Sequence, residues 1–496
     1  MNHTSLKIPD RTHGLNFFAI DQTLKSILNR LQPGEAERRT KTLTDFGAWA
    51  GGPLDEEAIY TDRFGRPSLV SYNHKGDLIN HVQHNPAWQK ASEEIYRRGI
   101  VGLNYGDEPA SFLITFVMGY LTSQSDVSLH CPATMTGAVA YVLNRFAPEP
   151  IRNVYLDELT RMDGKARSGG TWVTELHGGS DVGATTTTAS PEGDHYRLNG
   201  LKWFTSNVDG GIAVATARPN GAPAGSKGLG LYLVPWRDGD GNLNPMRIRR
   251  LKDKLGTCGV PTGEVDLTGT YALEVAPPPE GFRLMIEALE FSRIHNAMAA
   301  VGLQRRAFLE SLCFAANRQA FGNIITTYPM VQTEIIRILA TFEADLELAC
   351  EAAQSFDQAW RHAPDDTESD HRTWLRLATA LAKYQTAENA NRSCRSAIEI
   401  IGGNGYTYDY VTPRLLRDAQ VLTVWEGPAN IQALEILRLL GGSYSGFELF
   451  TKRIRKSLDN APEALTGSAG ALEAALKRCE DGAAFIQTEP KAAGRY

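Results

Sequence analysis

Residues 195–217 read HYRLNGLKWFTSNVDGGIAVATA. Two β-prone runs, His195–Leu198 and Ile212–Ala217, flank a segment punctuated by Asn, Gly and Asp. Similar short runs follow at Leu229–Val234 and Glu264–Leu267, with Pro219–Lys227 and Asp238-Gly-Asp-Gly241 as turns or loops between them. Runs at this spacing, with no helical stretch between them, predict an antiparallel sheet or small barrel over residues 166–278. A parallel βαβ sheet would need crossovers of a dozen residues or more, for which there is no room.

Both flanks have a different texture. Residues 1–165 lean helical, and Ala110–Ala147 carries long apolar segments with few breakers. Ahead of it, Gly51-Gly52-Pro53 and Arg63–His84 look extended, which predicts much non-helical chain before residue 85. On the far side, Ile335, Leu339, Phe342, Leu346, Ala349, Ala353, Phe356 and Trp360 are spaced alternately by four and three, one face of a long helix. A second long helix is expected from about Glu368 to Ile401, stopped at Gly402-Gly403. Helices of this length form antiparallel bundles. The fold class is therefore α+β, in the order helical domain (1–165), β domain (166–278), helical bundle (279–441) and a short tail (442–496). In the tail, Ala461–Ala475 reads as weak helix or linker.

Composition narrows the function. The chain has 496 residues, 42% hydrophobic and 22% charged, with a net charge of −6. These are values of a globular protein, not of a disordered or collagen-like one. A net negative charge argues against nucleic-acid binding over the whole surface. Lys452, Arg453, Arg455 and Lys456 are clustered and read as a solvated helix face, in a tail with eight basic and seven acidic residues. The six cysteines are scattered without metal spacing, so no metal site is expected and a reducing compartment is. Residues 1–14, MNHTSLKIPDRTHG, show no basic-then-apolar signal pattern, and the longest apolar stretch, Phe112–Leu121, is too short to span a bilayer. The expectation is a cytoplasmic protein without membrane contact.

Three segments carry chemistry. Thr174-Glu-Leu-His-Gly-Gly-Ser180-Asp is glycine-rich and hydroxyl-bearing, able to cradle an anion or a heterocycle edge, although its composition fits a plain turn as well. Lys202-Trp-Phe-Thr-Ser206-Asn sets two aromatics beside two hydroxyls at a strand end, a pattern that core packing also explains. Val424-Trp425-Glu426-Gly427-Pro428-Ala429-Asn430 places a carboxylate between an aromatic and a glycine where two helical stretches break. That glutamate is either a helix N-terminal residue or a general base with a pKa raised by apolar neighbours. GxGxxG, Walker, HExxH and GxSxG motifs are absent.

Taken in order, these segments, with Arg318-Gln-Ala-Phe321-Gly322 in the helical region, Ile401-Gly-Gly403-Asn-Gly405 and Arg417-Asp-Ala419, resemble the acyl-CoA dehydrogenase family of flavoenzymes over roughly residues 80 to 440. Asn85-Pro-Ala-Trp88, Cys131-Pro-Ala-Thr-Met-Thr136, Arg250-Leu-Lys-Asp-Lys-Leu-Gly256 and Trp425-Glu-Gly-x-x-Asn-Ile431 are similar to its AidB-like, alkylation-response branch.

The resemblance implies FAD lying between the β domain and the C-terminal helices. Val173 and Thr174 would face the flavin pyrimidine, Ser180 the pyrophosphate, Phe204 the ring and Ser206 its N5 edge. Gly427 and Asn430 belong to the same cofactor set, and Arg318, Phe321 and Gly403 would touch the FAD of a neighbouring subunit, in a homotetramer. Glu426 would be the catalytic base, removing the α-proton of an acyl thioester (on CoA or a carrier protein) while a hydride leaves the β-carbon. Arg293 and Trp425 would adjoin the substrate, and Ser292 occupies the alternative base position of other relatives. Electrons would pass to an electron-transfer flavoprotein or to oxygen. Pro428, Asn430, Glu399 and Met330 depart from residues usual in the family, which bears on the outer cofactor contacts. Two alternatives follow from the same likeness: a DNA-binding protein that protects against alkylation, and a flavin oxidase or monooxygenase.

Overall fold

The structure is a computed structural model, and it describes residues 11–360, 370–441 and 444–488. The N-terminal part opens with three helices, α1 (Gln22–Leu31), α2 (Pro33–Gly51) and α3 (Pro53–Phe64). A hairpin of β1 (Ser68–Tyr72) and β2 (Leu78–Gln83) follows, then α4 (Pro86–Arg97), α5 (Phe112–Ser123), α6 (Val127–Phe146) and α7 (Glu149–Thr160). Among the described residues, the chain before residue 85 is thus mostly helical, and the expectation of long non-helical chain is corrected to residues 11–21, the hairpin and short connections. Pro53, in the Gly51-Gly52-Pro53 stretch read as extended, sits in the first turn of α3, where a missing N–H costs nothing.

The middle part is a small barrel of β3 (Ser168–Trp172), β4 (Thr188–Glu192), β5 (His195–Ser206), β6 (Gly211–Pro219), β7 (Gly230–Pro235), β8 (Met246–Leu251) and β9 (Thr262–Ala276). Strands β6, β4, β5, β9 and β7 pair in turn, and β7 pairs back onto β6 to close the ring. Most pairs are antiparallel, but β3 and β4 both run parallel to β6. This departs from the all-antiparallel expectation, and it needs no crossover helix because intervening strands supply the return. Inside, Trp172, Leu198, Ala215, Tyr232, Val234, Ile248 and Val265 form the barrel's own core.

The C-terminal part begins with α8 (Glu280–Asn317), which enters from β9 across β7. A Cβ on Gly281 would fall 2.2 Å from the Leu231 amide nitrogen, so only glycine lets the helix start this close to the sheet. The short strands β10 (Gln319–Ala320) and β11 (Asn323–Ile324) form a hairpin, so Arg318-Gln-Ala-Phe-Gly322 follows the helix instead of belonging to it. Next come α9 (Pro329–Trp360), α10 (Asp370–Ile401), α11 (Thr412–Leu422), α12 (Ala429–Leu440), α13 (Gly446–Asp459) and α14 (Thr466–Thr488). The apolar stripe of α9 faces the core. Glu368, the expected start of α10, lies outside the described residues. The stretch read as weak helix or linker is divided between a turn and one helix, α14.

Helix α8 packs against α5, α6, α9, α10 and α11, so its charges must be neutralised within the fold. Arg306 donates from Nη1 and Nη2 to the two oxygens of buried Asp55 on α3, at 3.1 and 2.9 Å. Arg414 on α11 reaches the same carboxylate at 3.2 Å. Arg305 pairs with Asp21 at 2.8 Å, and Asp21 also caps α1 through Leu24 N. Burial alone would raise the Asp55 pKa, but the two arginines and His13 hold it well below the usual carboxylate range. Arg306→Met should therefore cost about 3–5 kcal/mol in urea unfolding, because it strands a buried carboxylate. Adding Asp55→Leu to that variant should recover part of the loss.

Candidate active site

Glu426 sits on the turn between α11 and α12, and its backbone is left-handed: φ is 58° at Glu426 and 92° at Gly427. A non-glycine residue there is strained, and such strain persists only where the surroundings impose it. Three side chains do so. Arg293 Nε of α8 donates to the Glu426 carbonyl at 2.9 Å, and Lys383 Nζ of α10 to the Gly427 carbonyl at 2.8 Å. Gln432 Nε2 of α12 donates to both carbonyls, at 3.1 and 3.0 Å. Gly427 is fixed by sterics as well as by φ, since a Cβ would lie 2.9 Å from Gln432 Nε2 and from Ile431 Cγ2.

The clamp holds the backbone and leaves the carboxylate alone. Glu426 is half-buried as a residue, but its Oε2 is buried and has no hydrogen-bond partner. Burial pushes its pKa up to about 7, against the smaller opposing pull of Arg293 and Lys383. Burial likewise pulls Lys383 down to about 8, against Glu426. Trp425, one residue earlier, donates its indole N–H to Asn296 Oδ1 on α8.

The barrel supplies a second wall. Glu175, inside the glycine-rich segment, is buried against Lys202, whose Nζ lies 2.9 Å from Oε1 and 2.8 Å from the Thr216 carbonyl. Thr186 and Thr187 donate their amides and hydroxyls to the same carboxylate. Burial alone would raise the Glu175 pKa, but Lys202 and these donors hold it at about 2. This pair roots the segment, while its tip, Gly178-Gly179-Ser180, is exposed. A Cβ on Gly179 would lie 2.6 Å from Thr174 Oγ1, so the chain passes close over that hydroxyl. The Trp203 amide donates to the Thr174 carbonyl at 2.9 Å.

On β5, Trp203 and Phe204 together stand opposite the single residue Glu264 of β9, between the pairs Lys202–Val265 and Thr205–Gly263. The resulting bulge turns Phe204 outward, 54% exposed, under Lys252 Nζ at 4.8 Å from its ring centre. Ser206 Oγ shares a hydrogen bond with Thr262 Oγ1 at 2.9 Å, and Thr262 accepts from Lys254 Nζ at 3.0 Å. Cys131 on α6 links the two walls. Burial raises its thiol pKa to about 12, with Lys254 lowering and Glu426 raising it, so both lie within electrostatic reach.

Comparison with known proteins decides what this arrangement is. Family models match three successive stretches between residues 8 and 441: Adaptive response protein AidB N-terminal domain at residues 8–162, Acyl-CoA dehydrogenase, middle domain at 170–270, and Acyl-CoA dehydrogenase, C-terminal domain at 279–441. Acyl-CoA dehydrogenase family member 11 of Caenorhabditis elegans is 32% identical over 488 residues, covering 94% of this chain and 78% of that protein. The chain belongs to the acyl-CoA dehydrogenase family, in its AidB-like branch. Putative acyl-CoA dehydrogenase AidB of Escherichia coli K12 is 29% identical, covering 91% of this chain and 82% of that protein. The crystal structure of Caenorhabditis elegans ACDH-11 in complex with C11-CoA superposes with a TM-score of 0.89, at 30% identity, over 99% of this chain and 85% of that one.

This AidB-like acyl-CoA dehydrogenase is thus an oxidoreductase of a flavin-using family, and the two walls fit a flavin. An outward aromatic at Phe204, a hydroxyl at Ser206, main chain at Val173 and Thr174, and an exposed Gly-Gly-Ser180 tip suit a flat heterocycle with a phosphate tail. Other residues expected at the cofactor are exposed. Arg318 follows α8, twenty-five residues beyond Arg293, or roughly 37 Å along the helix. Phe321 is 96% exposed, and Gly403 and Asn430 are exposed too. Sequence reasoning passed over Lys383, Gln432, Asn296 and Lys254. Only Lys254 lay in a quoted motif; the rest sit in long helices with no local signature.

A buried glutamate whose folded pKa exceeds its ordinary 4.5 loses stability as pH rises from 4.5 through about 7. Glu426→Gln should therefore match the parent below pH 4.5 and exceed it by about 1–3 kcal/mol at pH 8, read from urea midpoints of the flavin-free protein.

Proposed function

We propose that the protein is an FAD-dependent acyl-CoA dehydrogenase-type enzyme in which Glu426 removes the α-proton of an acyl thioester. The observation that carries this is the Glu426 carboxylate, fixed on a strained turn yet free of any hydrogen bond at Oε2. A structural carboxylate at that burial would be paired; an unpaired one with a pKa near the working pH is suited to take a proton. The crystal structure of the worm relative with C11-CoA supports a CoA thioester as the substrate class.

FAD, when bound, would supply the acceptor for the hydride that leaves the β-carbon. Val173, Thr174, Ser180, Phe204 and Ser206 would hold it from the barrel side, and Gly427 and Asn430 from the helical side. The high exposure of Arg318, Phe321 and Gly403 supports their reaching the cofactor of a neighbouring copy in a homotetramer. Arg293 and Lys383 orient the base through its carbonyls, and Trp425 closes the site beside it. Both cations also favour the negative charge that develops on the thioester as the proton leaves. In the tail cluster, Arg453 pairs with Glu351 and Arg455 with Glu480, so these two cations are engaged within the protein and give DNA binding no support.

Anaerobic titration of the FAD-loaded protein with a panel of acyl-CoA thioesters should bleach the flavin, and Glu426→Gln should slow bleaching by about 10²–10⁴-fold. The base works as the carboxylate, so the rate should fall about tenfold per pH unit below about 7. Should no thioester of any chain length or branching reduce the flavin, the proposal fails. Fast reoxidation by oxygen would instead mark an oxidase.

A further inference from the structure

Asn296 lies one helical turn beyond Arg293 on α8, and both side chains meet the turn that carries Glu426. It is 4% exposed. Its Oδ1 accepts from the Trp425 indole, which can only donate. That chemistry fixes the amide: the oxygen faces Trp425, and Nδ2 points away from it. Nδ2 is buried and has no hydrogen-bond partner. Asn296, which the Trp425 indole bonds, and Glu426, which follows Trp425 in the chain, thus each carry a buried polar atom without a hydrogen-bond partner, Nδ2 and Oε2.

We propose that Asn296 Nδ2 recognises the acyl part of the substrate, and that the preferred substrates are acyl thioesters bearing a neutral oxygen, hydroxyl or oxo, beyond the β-carbon. The oxygen must lie beyond the β-carbon because the α- and β-carbons are the reacting ones. It must be uncharged because a carboxylate would sit beside the Glu426 carboxylate. A plain hydrocarbon chain would bury Nδ2 unpaired, and a site built to hydrogen-bond a substrate discriminates strongly against analogues that lack the group. This inference rests on the reading of Glu426 as the base.

The test is anaerobic flavin reduction by matched pairs of acyl-CoA thioesters of equal length, one plain and one carrying a hydroxyl or oxo group at successive positions from C4 outward. In the parent protein at least one oxygenated member should exceed its plain counterpart in kcat/KM by about tenfold or more. In Asn296→Leu that ratio should fall to near one. If the parent prefers the plain chains, or uses both equally as it would were an ordered water bonded to Nδ2, the inference is overturned while Glu426 keeps its role. It is equally overturned if Asn296→Leu retains the preference. If no thioester bleaches the flavin, the reading of Glu426 falls and this inference with it. The comparison within the parent decides the matter even if the variant does not fold.

Discussion

Helix α8 is buried along most of its length, and a charge on such a helix has either to be paired or to be put to use. Its charged residues divide accordingly. Arg305 and Arg306 are paired with Asp21 and Asp55, which fastens the N-terminal helices onto the C-terminal bundle. Glu287 accepts from Tyr141 and pairs with Arg372, joining α6 and α10. Arg293 instead spends its guanidinium on the Glu426 carbonyl. One helix thereby sets the relation between the layers and, within two turns of its buried Glu287, the position of the candidate base.

The contrast between Asp55 and Glu426 shows how the same burial serves two ends. Both carboxylates are far from bulk water, and desolvation raises the pKa of each. Asp55 is met by two arginines on its own oxygens, so the Coulomb attraction wins and the group stays ionised. The cations near Glu426 are aimed at its carbonyl and that of Gly427, so the attraction is indirect and desolvation wins. Left-handed backbone at Glu426 is the cause of this difference: it turns the carbonyls toward the helices and the side chain into an unpaired position. Glu175 falls on the side of Asp55, because Lys202 touches its carboxylate directly.

Period and punctuation made the layer order legible. The alternating β runs from His195 to Leu267 and the four-three stripe on α9 each encode their element within a single window. Gly51-Gly52-Pro53 misled because helix-start and chain-break signals share residues, and only tertiary packing separates them. The parallel pairing of β3 with β6 is equally hidden, since it joins residues about forty positions apart with other strands between. At the site, Glu426 stood out by its Trp and Gly neighbours, whereas Lys383 and Asn296 matter only for what α8 and α10 bring beside the turn. A lysine in a long amphipathic helix reads as surface until its burial is known.

The ionisations at the site define a working window. Glu426, with its pKa raised to about 7, is a carboxylate above that pH. Lys383 and Lys254, both lowered by burial to about 8, remain cations below it. Between those values the base is ready to accept a proton while the two walls still carry positive charge. Below the window the base is lost; above it the field that favours a developing anion weakens. Because all three shifts come chiefly from burial, any change that admits water would return the glutamate toward its ordinary value and the lysines toward theirs. The window would widen, but Glu426 would become a weaker base as its pKa fell, so the proposed proton abstraction depends on the burial of its carboxylate.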